Sequence, residues 1–397
     1  MAATRCVKPS GGSGCYSSIS AAVTAAAPND TVRVYPGTYH EDVVIGKAVN
    51  LIGTNRDTTI VNASGKSNGF NIDGLNHPGL RNVTISGFTI ENAKFEGIVA
   101  TNASSLNLFN NHVTYNDKAL VPPASCPGIP SWETAEGFDC GEGIHLSGVS
   151  GSVISGNVVD HNAGGILLSD DTGPNHGNLL SANSVSRNAY DCGITLASHP
   201  PAAVSGATNP LGVYQNTILG NESSYNGLAT AGEGAGVGIF ASVPGAAAYA
   251  NSVSGNRLVG NGMPGVAIHS HTPGQNISRN VIAGNYIASN HADSDDAATP
   301  GSTGINVFGV SAATGTVIAE NKIESEADAI VVNTPAQVNI HLNQFHEHEV
   351  GVNNIGPGSA DATENYWGCS AGPSSGECAK VAGARVLFAP WLTQSLF

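Results

Sequence analysis

The chain has 397 residues, 50 of them glycine, with 11% charged and 6% aromatic side chains and a net charge of −15. So acidic a chain is a poor partner for nucleic acid or an anionic membrane, and so few aromatics require an aliphatic core. Length alone suggests two or three domains, but a repeat runs through the chain, and a stacked repeat makes one quasi-linear domain.

Residues 1–30 read as an arm and cap. Cys6 and Cys15 bracket a Gly/Ser-rich start. Ser17 to Ala27 places Ile19, Ala22, Val23 and Ala26 on one helical face, with Ser17 or Ser18 to cap it and Pro28 to end it. A short helix there would cover the exposed edge of the first coil. Residues 31–365 read as coils, opening with strands at Thr31–Tyr35, Asp42–Ile45 and Val49–Ile52. The unit is clearest from Ile154: a short apolar run, a turn at Asn157, a short strand, a turn at Asn162, then Gly165-Ile-Leu-Leu. The first Asn recurs at Asn111, Asn183, Asn221, Asn256, Asn285, Asn321, Asn343 and Asn365, the second at Asn116, Asn188, Asn226, Asn261 and Asn290. Uninterrupted copies are 22 residues apart, room for three short strands and their turns. Asn tolerates left-handed backbone, so these residues are expected at the turns, bonded to one another up the stack. Residues 366–397, around Trp367 and Trp391, read as the closing cap.

Seven cysteines are present. Cys6 with Cys15 and Cys369 with Cys378 are close pairs at the two ends, and Cys126 with Cys140 brackets an insertion, with Cys140–Cys192 as the rival pairing. Three disulfides imply an exported protein, secreted or periplasmic. No leader and no transmembrane run is found, so the sequence is expected to begin after a removed leader.

In the strand after the second Asn, the first and third residues past each Gly (Ile144/Leu146, Ile166/Leu168, Ile194/Leu196, Ile239/Ala241, Val266/Ile268, Ile305/Val307, Ile330/Val332) should stack inward. Each such burial contributes roughly 1.5–3 kcal/mol. The alternate residues then face outward. One column is His145, Leu167, Thr195, Phe240, Ala267 and Asn306, and the next is Ser147, Ser169, Ala197, Ser242, His269, Phe308 and Asn333. Insertions at 118–141, 198–212, 228–236 and 291–302 adjoin this strand and should wall a groove along its sheet.

The opening Asp30-Thr-Val-Arg-Val-Tyr-Pro-Gly-Thr-Tyr-His-Glu, the Asn-turn repeats and the ending Glu364-Asn-Tyr-Trp-Gly-Cys-Ser-Ala-Gly-Pro373 resemble the bacterial right-handed parallel β-helix repeat proteins of the pectin-lyase-like superfamily. The resemblance spans nearly the whole chain. It implies an all-β fold: a single-stranded right-handed parallel β-helix, a solenoid of three parallel sheets, here with a short N-terminal capping helix. It also implies frequent action on polysaccharides, although one fold hosts many functions.

Candidate chemistry clusters at the ends of these strands: Asp139 and Glu142 before Gly143, His145 on the strand, Asp170 and Asp171 after Gly165, Asp191 before Gly193, and His199 stacked beside Asp171. Paired carboxylates with a nearby His suit hydrolysis of a glycosidic bond, one carboxyl protonated as acid and one ionised as base or nucleophile. Asp171 or Asp191 is expected as acid, Asp170 as base or nucleophile, and His199 as the orienting group. An Asp-Asp with a His on the next coil also looks like the polygalacturonase-type hydrolases, but their Asn-Thr-Asp, Gly-His-Gly and Arg-Ile-Lys motifs are missing. The alternative is that Ser169-Asp170-Asp171-Thr172-Gly173 is a plain turn. Phe240, His269, Asn306 and Phe308 are expected to bind the substrate, the two Phe as stacking surfaces for sugar rings. A lyase or epimerase would want cations to neutralise a uronate. The mid-chain cations Lys118, Arg187, Arg257, Arg279 and Lys322 lie off the outward columns, although Tyr190 or His145 could serve as a base.

Metal readings are thinner and no cofactor is required. His269-Ser270-His271 puts two imidazoles on one strand face without an evident third ligand, and His341, His346 and His348 form another patch. Asp293, Asp295 and Asp296 could bind Ca²⁺ through oxygens, but the spacing also suits a solvated acidic loop. The competing class is a non-catalytic glycan-binding or periplasmic scaffold, because β-helix repeat proteins that it resembles serve in periplasmic metal-centre maturation.

Overall fold

The structure, a computed structural model, describes residues 2–121, 126–134, 140–199, 206, 208–230, 233–347 and 349–396. Asp139 and His348 lie outside the described residues. The chain winds as a right-handed parallel β-helix with three long sheets of 14, 12 and 11 strands, every paired strand parallel to its neighbour. A small fourth sheet joins Asn175–His176, Val213–Tyr214 and Ala248–Tyr249. The 12-stranded sheet, from Val43–Ile45 to Lys380–Gly383, carries the Gly-Ile-x-Leu strands. The residues expected to face inward do so, and Ile144, Leu168, Ile194, Ile239, Val266 and Ile305 are all buried.

The asparagine ladders hold the coils in register. In the first, each Nδ2 donates to the Oδ1 of the next coil's Asn at 2.9–3.1 Å, from Asn111 to Asn365. The second runs from Asn116 to Asn290 and ends on Glu326, whose Oε1 accepts from Asn290 Nδ2 at 3.0 Å. A third ladder, Asn178, Asn216, Asn251 and Asn280, escaped the sequence reading. The left-handed turn position is not the Asn itself, as expected, but the residue before it: Ala182, Glu320, Leu342 and Glu364 have φ of 53–59°. Each non-glycine there costs roughly 1–2 kcal/mol. The amide that follows then points inward, donating to a backbone carbonyl as well as to its neighbour, as Asn183 does to Ile154 O at 2.9 Å.

Both ends are capped. The helix Ile19–Ala25 is N-capped by Ser18, and the Glu41 carboxylate also receives the backbone N–H groups of Ile19 and Ser20. At the other end Trp367 is fully buried against Phe345, ring centroids 4.9 Å apart. Cys6–Cys15, Cys126–Cys140 and Cys369–Cys378 are bonded, and Cys192 is free and buried. Among the described residues no helix is long and apolar enough to cross a membrane.

Two expectations about the outer face change. The insertions do not leave an open groove over the middle coils: they roof it, and His145, Leu167, Thr195, Ala267, His269 and Asn306 are buried. Phe240 also belongs one column over. Its strand pairs Gly238 with Thr195 and Phe240 with Ala197, so Phe240 stands beside His269 and Phe308. The apparent Gly238-Ile-Phe-Ala frame is two residues out of step with its neighbours, because Val237 takes the column of Ile194.

Candidate functional site

Three polar assemblies lie along the roofed face. The first is built on two copies of Glu-Gly-Ile, Glu96-Gly97-Ile98 and Glu142-Gly143-Ile144, which occupy adjacent coils with Ile98 paired to Ile144. The insertion lays Glu133 over them, and His145 points up from the strand. Glu96, Glu133, Glu142 and His145 are all buried, with one ligand-type atom of each within 4.8 Å of the others. His145 Nε2 bonds Ser169 Oγ at 2.9 Å, its Nδ1 lies 3.5 Å from Glu133 Oε1, and the Trp132 ring sits 5.8 Å away. Burial and the adjacent Glu133 carboxyl push Glu96 far above the usual carboxylate range, with His145 pulling the other way.

A cavity of about 350 Å³ adjoins this cluster. Asn71, Asp73, Asn76 and Thr101 give it polar walls, and Pro130 and Trp132 close one side. Asn68 and Val99 belong to both: they line the cavity, while Asn68 Oδ1 accepts from Glu96 N and Val99 is paired with His145. This is the open stretch of the sheet face, on coils earlier than expected. Glu96 could have been found, since it repeats the Glu142 motif. Glu133 and Trp132 carry no repeat signal.

The second assembly is Asp170, Asp171 and His199. His199 Nδ1 is 3.1 Å from Asp171 Oδ2, the contact that the coil spacing anticipates. Burial raises the Asp171 carboxyl, but His199, His145 and Ser169 outweigh burial and hold it far below the usual range, which runs against the expected acid role. Thr134 Oγ1 also donates to Asp171. Asp170, expected as base or nucleophile, is engaged by three donors. Its oxygens accept from His199 N (2.8 Å), Ser198 Oγ (2.9 Å) and Gly212 N, which ties the coil to the 198–212 insertion. Asp191 is half-buried and takes Thr195 Oγ1 at 3.4 Å, and it faces Glu142 across Gly164.

The third assembly joins His269 to the 291–302 insertion. His269 is fully buried, with Phe240 and Phe308 at ring-centroid distances of 5.1 and 5.7 Å. Its Nε2 bonds Asp293 Oδ2 at 2.7 Å. Asn306 Nδ2 donates to Asp293 at 2.8 Å, and Asn333 Nδ2 to both oxygens of Asp296 at 3.1 Å. His269 and Asn306 thus anchor the loop instead of lining an open groove, while Phe240 and Phe308 keep part of their rings exposed. Asp293 and Asp296, read as calcium ligands, are directed at an imidazole and two amides. Asp295 and His271 stay at the surface.

The mid-chain cations have a common fate. Arg187 stacks on Tyr225, Arg257 and Lys322 on Tyr286, Arg279 on Tyr249 and Lys118 on Tyr115, all away from the roofed face.

The profile of the family described as periplasmic copper-binding protein (NosD) matches residues 38–232 and 133–303, together about two thirds of the chain. The chain belongs to the NosD family. No curated protein matches it. Among solved structures it is similar to the DFA-IIIase from Arthrobacter chlorophenolicus A6, at 12% identity and a TM-score of 0.57 over 97% of this chain and 98% of that one. It is also similar to the catalytic unit of the GH87 alpha-1,3-glucanase from Streptomyces thermodiastaticus strain HF3-3, at 14% identity and 0.53 over 94% and 65%. With ORF18 of Geobacillus virus E2 the identity is 13% and the TM-score 0.42 over 86% of this chain, which spans only 55% of that one. The likenesses to the DFA-IIIase and the glucanase show the fold, a parallel β-helix.

Proposed function

We propose that the chain is an exported carbohydrate-active protein that takes a saccharide in the cleft between Asn71, Asp73, Asn76, Thr101 and Trp132 and hydrolyses a glycosidic bond at the adjoining Glu cluster. The observation that carries this is the cleft itself. A tryptophan wall opposite amides, a hydroxyl and a carboxylate matches the apolar faces and hydroxyl rim of a sugar, and it shares Asn68, Val99 and Trp132 with the surroundings of Glu96, whose carboxyl burial and Glu133 push well above the usual range. In this reading Glu96 is the acid and Glu133 the base or nucleophile, with Glu142 and His145 fixing the pair. Three disulfides and a periplasmic family support an oxidising compartment.

The test is a polysaccharide panel that includes α-1,3-glucan, read both by reducing ends and by absorbance of unsaturated products. Reducing ends alone are expected, with Glu96→Gln slower by roughly 10²–10⁴-fold. Unsaturated products would replace hydrolase with lyase. Binding without cleavage would favour a glycan-binding scaffold, and a fully active Glu96→Gln would move the chemistry elsewhere.

A second reading, transition-metal binding, is favoured by the convergence of two imidazoles and a carboxylate at the third assembly. Copper is the metal in the family's description. Among the described residues the free thiol Cys192 and the thioether Met263 are buried together in an apolar cluster with Ala235 and Ala267, and burial followed by Asp191 pushes the Cys192 thiol well up, away from the thiolate that Cu(I) selects. The nitrogen and oxygen donors fit Cu(II).

A further inference from the structure

Two features that look unrelated in the sequence meet in space: the pair His269-Ser270-His271, and the acidic loop beginning at Asp293. His269 closes the strand Val266–Ser270 on its outer face, and His271 lies two residues on, so both rings leave the same side. The 291–302 insertion brings Asp295 to them. One atom each of His269, His271 and Asp295 lies within 4.8 Å of the others.

We infer that His269 Nδ1, His271 and Asp295 bind one divalent transition-metal ion, with Asp293 as the outer partner that orients His269. The inference rests on the metal-binding reading above and names its ligands. His269 Nδ1 is enclosed, and the carboxylate oxygen that it faces, Asp295 Oδ2, is an ion-pair partner at 3.4 Å, a separation that a shared metal ion would span. The opposite nitrogen, Nε2, is held by Asp293 at 2.7 Å, and Asp293 is itself held by Asn306. A carboxylate behind a histidine directs the other nitrogen's lone pair to a metal and raises its basicity. Phe240 and Phe308 flank the ring and fix its plane. His271 and Asp295 are exposed, which gives an ion a way in and leaves a coordination position open to solvent. Two imidazoles and one carboxylate suit Cu(II) or Zn(II), whereas Ca²⁺ would seek six or more oxygens. A bound ion would pin the insertion to the sheet. The strand of His269 is four coils from that of His145, roughly 19 Å at the usual strand spacing, so this centre is separate from the cleft.

The full chain would be titrated with CuSO₄, ZnCl₂ and CaCl₂ by calorimetry, with electron paramagnetic resonance of the Cu(II) form. One equivalent of Cu(II) or Zn(II) is expected, bound more tightly than Ca²⁺, with hyperfine structure from two nitrogens. His271→Ala and Asp295→Asn, both surface changes, should each weaken binding at least about tenfold, and His271→Ala should leave one coupled nitrogen. Asp293→Asn should weaken it about 10–100-fold while both nitrogens stay coupled. If the native chain binds Cu(II) and neither surface variant alters affinity or nitrogen count, the assigned ligands are wrong and the metal-binding reading survives. Tighter binding of Ca²⁺ than of either transition ion would overturn the class of metal. If the native chain takes up neither Cu(II) nor Zn(II), both the site and that reading fall.

Discussion

Asp171 and Glu96 lie under the same roof, both buried and both within the field of His145, yet their carboxyls are driven in opposite directions. Their neighbours make the difference: His199, His145 and Ser169 hold Asp171 down against burial, whereas Glu133 sets a second carboxyl beside Glu96. His199 lies 3.1 Å from Asp171. Burial alone therefore does not assign a role to a carboxylate. The donors that reach it decide whether it stays ionised as a structural tie or keeps a proton that it can give away.

The largest expected effect is on the ionised side. Asp171→Asn leaves His199 without its counter-charge and should cost about 3–5 kcal/mol in urea unfolding. A lowered carboxyl contributes stability above its ordinary value and loses it only as pH falls through its low folded value. The deficit should therefore persist from neutral pH down to about pH 4.

Glu326, the end of the second ladder, lies between the two cases. Burial raises it to about 7 from 4.5, although Asn290 donates to it twice and so opposes the rise, with Glu349 adding to it. A raised carboxyl favours the fold below its ordinary value, and that advantage is lost as pH climbs through the folded value. Glu326→Gln should therefore gain up to about 3 kcal/mol on the parent between pH 4 and pH 8, read from unfolding curves at both pH values. A constant difference across that range would remove Glu326 from the comparison.

The smallest effect belongs to Glu96. With its carboxyl pushed toward the neutral form, Glu96→Gln should change stability by less than about 1 kcal/mol at neutral pH while slowing any glycosidase activity roughly 10²–10⁴-fold. A loss as large as that of Asp171→Asn would mean that Glu96 is also a charged tie, and the contrast would collapse.

Much of the frame was legible in the residues. Two ladders, the inward aliphatic columns, both caps and three disulfides follow from spacing and residue type alone. The third ladder was also written there, because Asn178, Asn216, Asn251 and Asn280 each precede a first-ladder Asn by five residues, the same interval that separates the first ladder from the second. The site was half legible. Glu142, His145, Asp171 and His199 were singled out and do converge with partners, but their roles depend on Glu133, Thr134 and Trp132, which come from an insertion with no period to read. Phe240 was misplaced because a glycine two residues along its strand imitates the repeat.

The ladders have a consequence for how such a chain can change. Successive members of the first ladder are separated by as many as 46 residues (Asn111 to Asn157) and as few as 22 (Asn343 to Asn365), yet the bond is 3.1 Å in one case and 3.0 Å in the other. The seam is indifferent to contour length. New loops can be spliced into a coil while the rise of the solenoid stays constant, so an ancestor with a bare sheet could acquire a roof, a cleft and a chelating arm one excursion at a time.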